Sequence, residues 1–321
     1  MQTVGIDIAK ATFDIALSLG GGKFRTKAKM DNTPQGHQAF LAWHAKHAPD
    51  AAVGMEATGI YHEALARTLV QAGLVVFVAN PAQVKAYGQS EGMRTKTDRS
   101  DAKLIARYFE SKGEDKLRPY VPLSEAEAKL RALVHRRDDL KEMMQMEANR
   151  LEVSNAAVIP GIETVISTLQ EQLAALEKAI NDHIDDDPDL RRRRDLLSSI
   201  PGVAKTSSAQ LMAFLGDLSQ YTDVRQVVAH AGLNPAQRQS GNFEGRARIS
   251  RIGDAVLRAK LYMPALTGRQ HNPALKAMAE RLAERGKPFK VVMCALMRKL
   301  IHIVWGVLKS GKPFSAEIAL A

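Results

Sequence analysis

Asp98 and Asp101 stand three residues apart, in a segment that continues with the apolar side chains Ile105 and Tyr108. Spacings of three, four and three predict a helix that carries both carboxylates on its inward stripe. Two such carboxylates repel each other and lose hydration, so either one stays protonated or a cation neutralises the pair. Mg²⁺ prefers oxygen ligands and also binds phosphate oxygens, which makes it the natural cation here. Taken singly, each aspartate could equally be an ordinary residue at a helix N-terminus.

Two more acids interrupt apolar segments that are expected to form strands. Asp7 lies between Ile6 and Ile8 in the first strand, where an acid is costly without a function. Glu56 ends the apolar segment that begins at Ala51, although alone it could be a turn residue or an arginine partner. Carboxylates from separate elements can hold two cations about 3.5–4 Å apart, one at the attacking and one at the leaving oxygen. Together with Asp98 and Asp101, these acids predict a divalent metal site.

The elements that position the acids follow an alternating order. Hydrophobic periodicity and turn residues predict strands at Thr3–Ala9, Thr12–Leu19, Lys23–Met30, Ala51–Glu56 and Leu74–Ala79, and helices at 33–47, 61–72 and 98–112. Three antiparallel strands followed by alternating helix and strand is the order of an RNase H-like domain. Glu56 then lies at the carboxyl edge of the sheet, where open α/β sheets bind ligands. We expect this α/β domain to span residues 1–118.

A long helical region follows, opened by a capping box of Ser124 and Glu127. After Pro160-Gly161, apolar residues recur at alternating spacings of four and three, which is typical of a heptad seam: Ile162, Ile166, Leu169, Leu173, Leu176 and Ile180. Two helices joined at this break predict an antiparallel hairpin or a dimerising coiled coil over residues 119–187. Two helices of an ordinary bundle would have the same pattern. Beyond Asp187-Pro188, a basic and mainly helical domain is predicted over residues 188–321.

The composition favours a polyanionic partner. The chain of 321 residues carries 45 Lys and Arg against 35 Asp and Glu, a formal net charge of +10. Only 5% of the residues are aromatic, so phosphate contacts are expected to dominate over base stacking. The single cysteine, Cys294, excludes an internal disulfide and a cysteine metal cage. Without a leader or an uninterrupted apolar span, we expect a cytoplasmic protein that does not enter a membrane.

The basic C-terminal region contains two candidate phosphate-binding segments. Ile200-Pro201-Gly202-Val203 is typical of a helix-hairpin-helix turn, in which Gly202 lets backbone N–H groups approach a phosphate, although it could also be a plain Pro-Gly loop. Farther on, where arginines outnumber acids, we expect nucleic-acid contacts from Arg238, Arg246, Arg248 and Arg251. Ser250 is expected to be the N-cap of the next helix.

Four segments resemble the RuvC-like domain of DEDD insertion-sequence transposases, which are now understood as bridge-RNA-guided recombinases: Gly5–Lys10, Met55–Tyr61, Asn80-Pro81 and Lys96–Ala102. The likeness extends over essentially the whole chain, including a C-terminal transposase domain. It implies that the metal-binding acids are Asp7, Glu56, Asp98 and Asp101. It also implies that Ser240, at the family's Ser-Gly position, is the nucleophile that attacks DNA.

The resemblance also implies cofactors and partners. It implies Mg²⁺, donor and target DNA, and a structured guide (bridge) RNA that pairs with both DNAs. We expect a dimer or tetramer, because exchanging two duplexes requires four strand cuts and the helical arm offers an interface.

Three other functions fit part of the sequence. A Mg²⁺-dependent junction-resolving endonuclease would use water as its nucleophile, with Ser240 only a phosphate contact. Actin-like sugar kinases share the first loop and the RNase H topology, but they need a second duplicated domain with a glycine-rich adenosine loop that this sequence does not supply. A non-catalytic DNA-architectural or RNA-binding protein would explain the charge and leave the acids unexplained.

Overall fold

The structure is a computed structural model that describes residues 2–92, 98–113, 116–236, 239–240, 243–244 and 248–317. At positions 98, 99, 219, 239, 240, 243 and 244 it describes the backbone alone. The chain divides into two compact units, Met1–Pro122 and Leu123–Ala321. The finer division of the second unit into a helical arm and a basic domain stays a prediction.

The N-terminal unit is a mixed five-stranded sheet covered by helices. Its strands are β1 (Thr3–Ile8), β2 (Thr12–Ser18), β3 (Phe24–Asp31), β4 (Ala52–Glu56) and β5 (Val76–Ala79), in the order β3-β2-β1-β4-β5. The first three strands pair antiparallel, whereas β4 runs parallel to β1 and to β5. Its helices are α1 (Pro34–His47), α2 (Tyr61–Gln71), α3 (Pro81–Ser90) and α4 (Asp98–Ser111). This mixed α/β arrangement confirms the predicted class and is compatible with an RNase H-like domain.

Strand alternation gives the sheet two differently covered faces. On one face, Ile6 and Val53 belong to the same core as Leu65 of α2. On the other face, Ala52 belongs to a core that includes Ile105 of α4. Odd-numbered residues of β1 and even-numbered residues of β4 therefore face α4, and this determines which face the candidate acids share.

The C-terminal unit is mainly helical. Its helices are α5 (Glu125–Val153), α6 (Ile159–Asp186), α7 (Pro188–Ser198), α8 (Lys205–Leu215), α9 (Val224–His230), α10 (Ala255–Lys260), α11 (Tyr262–His271), α12 (Pro273–Glu284) and α13 (Phe289–Ser310). Four short strands also occur in the described part of this unit: β6 (Pro235–Ala236), β7 (Gln239–Ser240), β8 (Phe243–Glu244) and β9 (Arg248–Ile249). One core joins the helices, with Leu130 of α5, Ile180 of α6, Leu211 of α8 and Leu300 of α13 among its members.

Local signals begin several of these helices. Thr33 caps α1 with its side chain, and Ser124 and Glu127 form the predicted capping box of α5. Helix α3 was not predicted, although Asn80 caps it and Pro81 is its first residue, which is a recognisable start signal.

Helices α5 and α6 form an antiparallel pair within the chain. His183, near the end of α6, hydrogen-bonds through Nε2 to the backbone oxygen of Ala126, near the start of α5, at 2.9 Å. Farther along, Lys141 Nζ lies 3.4 Å from Glu177 Oε1. The break between the helices spans residues 154–158, just before the predicted position. These contacts form a helical hairpin, while a coiled-coil arm and a dimer stay predictions.

Helix α13 is the one described helix that is long and apolar enough, by length and composition alone, to cross a membrane. Half of its apolar window is buried, and Leu296, Leu300 and Val304 belong to the core of the C-terminal unit. The core helix of a water-soluble fold passes the same test, so this feature is weak evidence for a membrane span.

The prediction that Ser250 caps a helix is wrong. Helix α10 begins at Ala255, and Asp254 Oδ1 accepts hydrogen bonds from two backbone N–H groups of its first turn, at 2.7 and 3.0 Å. Ser250 instead donates its backbone N–H to the Asn234 oxygen at 2.7 Å. Both residue types are good N-caps, but Asp254 directly precedes Ala255, whereas Ser250 lies five residues before it.

Candidate metal centre and nucleic-acid interface

Asp7 and Glu56 lie at the carboxyl ends of neighbouring parallel strands. The register pairs Ile6 of β1 with Met55 of β4, and the two acids are the next residue on each strand. Both side chains are half-buried, and Glu56 is the last residue of β4, at the edge predicted for it. Two carboxylates from separate strands are therefore adjacent at the edge where open α/β sheets bind ligands.

Two glycines show which face these strand acids share. A Cβ on Gly5 would overlap the backbone of α4 at Ala102, and a Cβ on Gly54 would overlap the ring of Phe109 on the same helix. Each acid lies two residues after one of these glycines, so it faces the same side of the sheet, toward α4. Helix α4 begins at Asp98, one turn before Ala102. Close packing of α4 onto the two glycines thus places its N-terminal turn near the strand acids.

Of the two acids on α4, the structure describes the side chain of Asp101. The side chain of Asp98 lies outside the described residues. Asp101 is half-buried, and Ser100 Oγ lies 3.4 Å from its Oδ1. Ile105 and Tyr108, predicted on the same inward stripe, are both buried.

No group of three or more His, Cys, Asp and Glu side chains is arranged to hold a metal ion within the described residues, which leave out the Asp98 side chain. Carboxylates repel one another, so they are expected to close around a cation only when it binds. The chemistry of the proposed donor set fits a hard divalent cation, because all four donors are carboxylates.

Asp14 is an acid of this region that the sequence analysis missed. It lies directly opposite Asp7 in the β1–β2 pairing, on the face that points to α4, and only 8% of it is exposed. Its Oδ1 accepts the backbone N–H of Lys29 at 3.2 Å, at the irregularity where Lys29 has a left-handed φ of 54°. The signal was present, because Asp14 interrupts an apolar strand just as Asp7 does. Like charges directly opposite each other are unfavourable, so this edge favours a cation.

Ser240 lies in a small β-hairpin of the C-terminal unit. Strand β7 pairs with β8 so that Ser240 faces Phe243, and only residues 241 and 242 connect them. A second pair, Ala236 of β6 with Arg248 of β9, lies nearer the start and end of this segment. The Ser240 side chain, Arg238 and Arg246 lie outside the described residues.

The segments that precede and follow this hairpin, at the end of α9 and the start of α10, contact each other. Arg258 Nη1 donates to the Ala231 oxygen at 3.0 Å, and the Asp254 N–H donates to the His230 oxygen at 2.6 Å. Gly253 has a φ of 149°, and a Cβ there would come 2.6 Å from the backbone nitrogen of residue 232. The segments on both sides of the hairpin are therefore held together by backbone contacts that admit no side chain at 253.

Arg248 and Arg251, two of the predicted nucleic-acid contacts, are exposed on the segment after the hairpin. Arg251 has a left-handed φ of 57°, which is uncommon for a residue other than glycine. Its backbone N–H donates to the Gly232 oxygen at 3.2 Å. The backbone conformation of Arg251 therefore lowers the stability of the fold, while its side chain is exposed.

Gly202 lies in the turn between α7 and α8, as predicted, but helix packing also requires it. Its φ is 99°, and a Cβ would come 2.6 Å from the Gly268 nitrogen and 2.9 Å from the Pro264 oxygen of α11. The glycine thus has a structural reason that is independent of nucleic acid. Its contact with a phosphate stays a prediction.

A basic cluster lies on the N-terminal unit, at edge strand β3 and the end of α1. Arg25 Nη1 donates to His47 Nδ1 at 2.8 Å. Partial burial and the positive charges of Arg25, Lys46 and Lys27 lower the pKa of His47. The cluster of Arg25, Lys27, Lys46 and His47 thus concentrates positive charge that could attract an anion.

An α/β domain with two acids on adjacent parallel strands, followed by a mainly helical unit, is compatible with an enzyme of the DEDD type. Comparison with known proteins agrees with this class of enzyme. A family model described as "Transposase", of the IS110 DEDD type, matches residues 4–154, and one described as "Transposase IS116/IS110/IS902 family" matches residues 194–280.

Relatives matched over most of the chain are named as transposases or as a gene-inverting protein. The chain is 33% identical to the "Pilin gene-inverting protein" of Moraxella bovis, over 98% of both chains. It is 26% identical to a "Probable family 20 transposase" of Pseudomonas aeruginosa, over 96% of this chain and 97% of that one. It is also 26% identical to the "Transposase for insertion sequence element IS1111A" of Coxiella burnetii, over 75% and 73%.

The chain therefore belongs to the IS110 family of DEDD-type insertion-sequence transposases. It is a DNA transposase or recombinase, and its substrates are DNA. DEDD nuclease-like transposase domains generally use divalent metal ions, which agrees with the carboxylate donor set.

Proposed function

We propose that this transposase cleaves and rejoins DNA with Mg²⁺ bound by Asp7, Glu56, Asp98 and Asp101 and with Ser240 as the nucleophile. The observation that carries the metal site is the position of the first two acids on adjacent parallel strands, on the face toward α4. The first turn of α4 contains the other two acids. Mg²⁺ suits such a set because it binds carboxylate and phosphate oxygens in the same coordination sphere.

The proposed reaction is an exchange of esters at phosphorus. The Ser240 hydroxyl loses its proton as Oγ bonds to phosphorus, while the bond from phosphorus to a deoxyribose oxygen breaks and that oxygen takes up a proton. A bound divalent cation would supply positive charge beside the attacking and leaving oxygens. The phosphoserine ester conserves the energy of the broken bond, so a hydroxyl of another strand can reverse the step without a nucleotide cofactor.

Ser240 belongs to a different unit from the four acids, so this mechanism requires an assembly that brings both units to one phosphate. The acids and the serine would come from the same chain or from two subunits of a dimer or tetramer. Apolar side chains left exposed on the α5–α6 hairpin, such as Val158 and Val165, support a contact between subunits.

Exposed arginines support the proposed DNA contacts. Arg248 and Arg251 follow the Ser240 hairpin, where they could stabilise the charge of the pentavalent phosphorus. Arg238 and Arg246 are proposed as further contacts from their positions in the sequence, and Gly202 as a backbone contact at the α7–α8 turn.

We extend the proposal to a structured guide RNA. The basic cluster of Arg25, Lys27, Lys46 and His47 supports a polyanionic partner for the N-terminal unit. Lysines on an edge strand also protect it from aggregation, so binding must be measured. The direct test is whether Lys27→Gln with Lys46→Gln weakens binding of the guide RNA and lowers its salt dependence.

A junction-resolving endonuclease that uses water is the alternative. The name of the Moraxella bovis relative favours rejoining, because inverting a gene requires that the cut ends are joined again. The test is incubation with nicked cognate DNA, Mg²⁺ and guide RNA, followed by denaturing electrophoresis and peptide mapping. A DNA adduct on Ser240 that is absent from Ser240→Ala supports recombination through serine. Efficient strand exchange by Ser240→Ala would eliminate it.

A further inference from the structure

Asn32 lies between β3 and α1 and joins two loops of the N-terminal unit through its side chain. Its Nδ2 donates to the Ala9 oxygen and to the Tyr61 oxygen, each at 3.1 Å. Its Oδ1 lies 2.8 Å from Nε2 of His37, a histidine that is only 4% exposed. All three polar positions of this side chain are therefore occupied.

The partners determine the orientation of the amide. A backbone carbonyl only accepts hydrogen bonds, so the group that faces Ala9 and Tyr61 must be the NH₂ group. The amide oxygen then faces His37, and His37 must carry its proton on Nε2 to donate to it. Burial lowers the pKa of His37, which favours the neutral ring that this arrangement needs. The ring also contacts Phe13 of β2, with centroids 6.3 Å apart, so the core supports its position.

The two loops that Asn32 joins are those that follow the strand acids. Ala9 is two residues after Asp7, and Tyr61 opens α2 five residues after Glu56. A hydrogen bond between residues three positions apart constrains each loop: Ala9 N–H donates to Thr12 O at 2.9 Å, and Tyr61 N–H donates to Thr58 O at 3.1 Å. A shift at Asn32 would therefore be transmitted toward both acids.

We propose that Asn32, oriented by His37, is a positioning residue that sets the separation of the Asp7 and Glu56 loops so that their carboxylates can bind one divalent cation. The inference rests on the proposed metal site and concerns a residue outside the DEDD set. Only an amide of this length provides two donors and one acceptor here. An aspartate would set oxygen against both carbonyls, and a leucine would lose all three hydrogen bonds at similar volume.

The test is the affinity for Mg²⁺ of Asn32→Leu, measured without DNA from the rise in Tm during a MgCl₂ titration and by calorimetry. We expect the half-saturating Mg²⁺ concentration to rise about tenfold or more, as for other residues that orient metal ligands. The metal-free Tm should also fall, because three hydrogen bonds are lost, so the calorimetric affinity is measured well below the melting transition of the variant. Asn181→Leu is the matched control, since Asn181 is exposed and donates only to its own helix.

A purely structural role predicts a lower metal-free Tm with unchanged Mg²⁺ affinity, and that unchanged affinity would overturn the proposal. If Asn32→Leu does not fold, His37→Phe decides, because it keeps a buried ring and removes the donor to Asn32. Asp7→Asn is titrated in parallel. If Asp7→Asn weakens Mg²⁺ binding and neither Asn32→Leu nor His37→Phe does, only the positioning role fails. If Asp7→Asn binds Mg²⁺ like the wild type, the metal site itself is wrong.

Discussion

The two units hold their candidate residues in different ways. Asp7 and Glu56 stand on strands of six and five residues inside a five-stranded sheet, and α4 packs closely on the glycines before them. Ser240 stands on a strand of two residues, in a hairpin that lies in sequence between α9 and α10, and Arg258 of α10 hydrogen-bonds to Ala231 at the end of α9. In the first unit a sheet and a helix position the strand acids, whereas in the second the described support of the hairpin consists of a few contacts between the segments that flank it. Substitutions should therefore separate activity from stability in the first unit more cleanly than in the second.

The largest effect is expected from Asp7→Asn. Loss of one cation ligand should lower the cleavage rate about a thousandfold, because metal ions supply several kcal/mol of charge stabilisation. The metal-free Tm should stay or rise, since the change removes repulsion with Asp14 directly opposite. Single-turnover cleavage and metal-free melting measure both effects. The control is Asp50→Asn, on an exposed turn. Wild-type cleavage by Asp7→Asn would show that these acids do not hold the catalytic metal.

The sequence predicted features that depend on local patterns and missed features that depend on tertiary contacts. The strand order, the site of Glu56 and the starts of α1 and α5 depend on alternation, periodicity and caps, all of which are local. Asp14 could have been found by the same reasoning as Asp7. The packing of Gly202 against α11 could not, because it depends on residues more than sixty positions away. The Ser250 error has another cause, since two good capping residues, Ser250 and Asp254, precede this helix and the pattern did not fix where it begins.

The next largest effect is expected from Gly202→Ala on the stability of the C-terminal unit. A Cβ at a φ of 99° and 2.6 Å from the Gly268 nitrogen requires α7, α8 and α11 to shift. Strain and overpacking should each cost about 1–3 kcal/mol. Chemical denaturation measures this loss, with Gly306→Ala as the control because open space surrounds Gly306. Full stability together with weakened DNA binding would instead favour the phosphate-binding role of Gly202.

A smaller effect is expected from a fall in pH, which should lower the stability of both units. Burial lowers the pKa of His37, and burial is also the main cause that lowers the pKa of His230, with a contribution from Arg131 that Asp254 and the Phe214 backbone oppose. Below a pH of about 6.5 the unfolded chain takes up protons that the folded chain does not. The stabilisation is therefore present above that pH and is lost as pH falls toward the folded pKa values.

Melting between about pH 7.5 and 5.5 measures this loss. His37→Phe should flatten the pH dependence of the N-terminal unit, and His230→Gln that of the C-terminal unit. If each variant flattens the transition of the other unit, or neither changes it, the two histidines do not account for the acid sensitivity.

The smallest effect on stability, but a clear one on binding, is expected from Arg251→Gly. Glycine adopts the left-handed conformation that Arg251 holds at a φ of 57°, so the lower backbone strain offsets the greater freedom of the unfolded chain. Stability should therefore stay within about 1 kcal/mol of the wild type.

Loss of the exposed guanidinium should lower the slope of log K against log salt for DNA binding by about one unit, the amount expected for one phosphate contact. Arg285→Gln is the control, because Arg285 is also exposed and lies far along the chain from the Ser240 hairpin. A drop in the slope without a loss of stability would show that the C-terminal unit keeps a strained arginine for binding. That result would make the two units more alike. Arg251→Gly would then change DNA binding without changing stability, just as Asp7→Asn is expected to change cleavage without lowering stability. An unchanged slope would make Arg251 an ordinary surface residue and leave Arg248 as the one described arginine of the proposed interface.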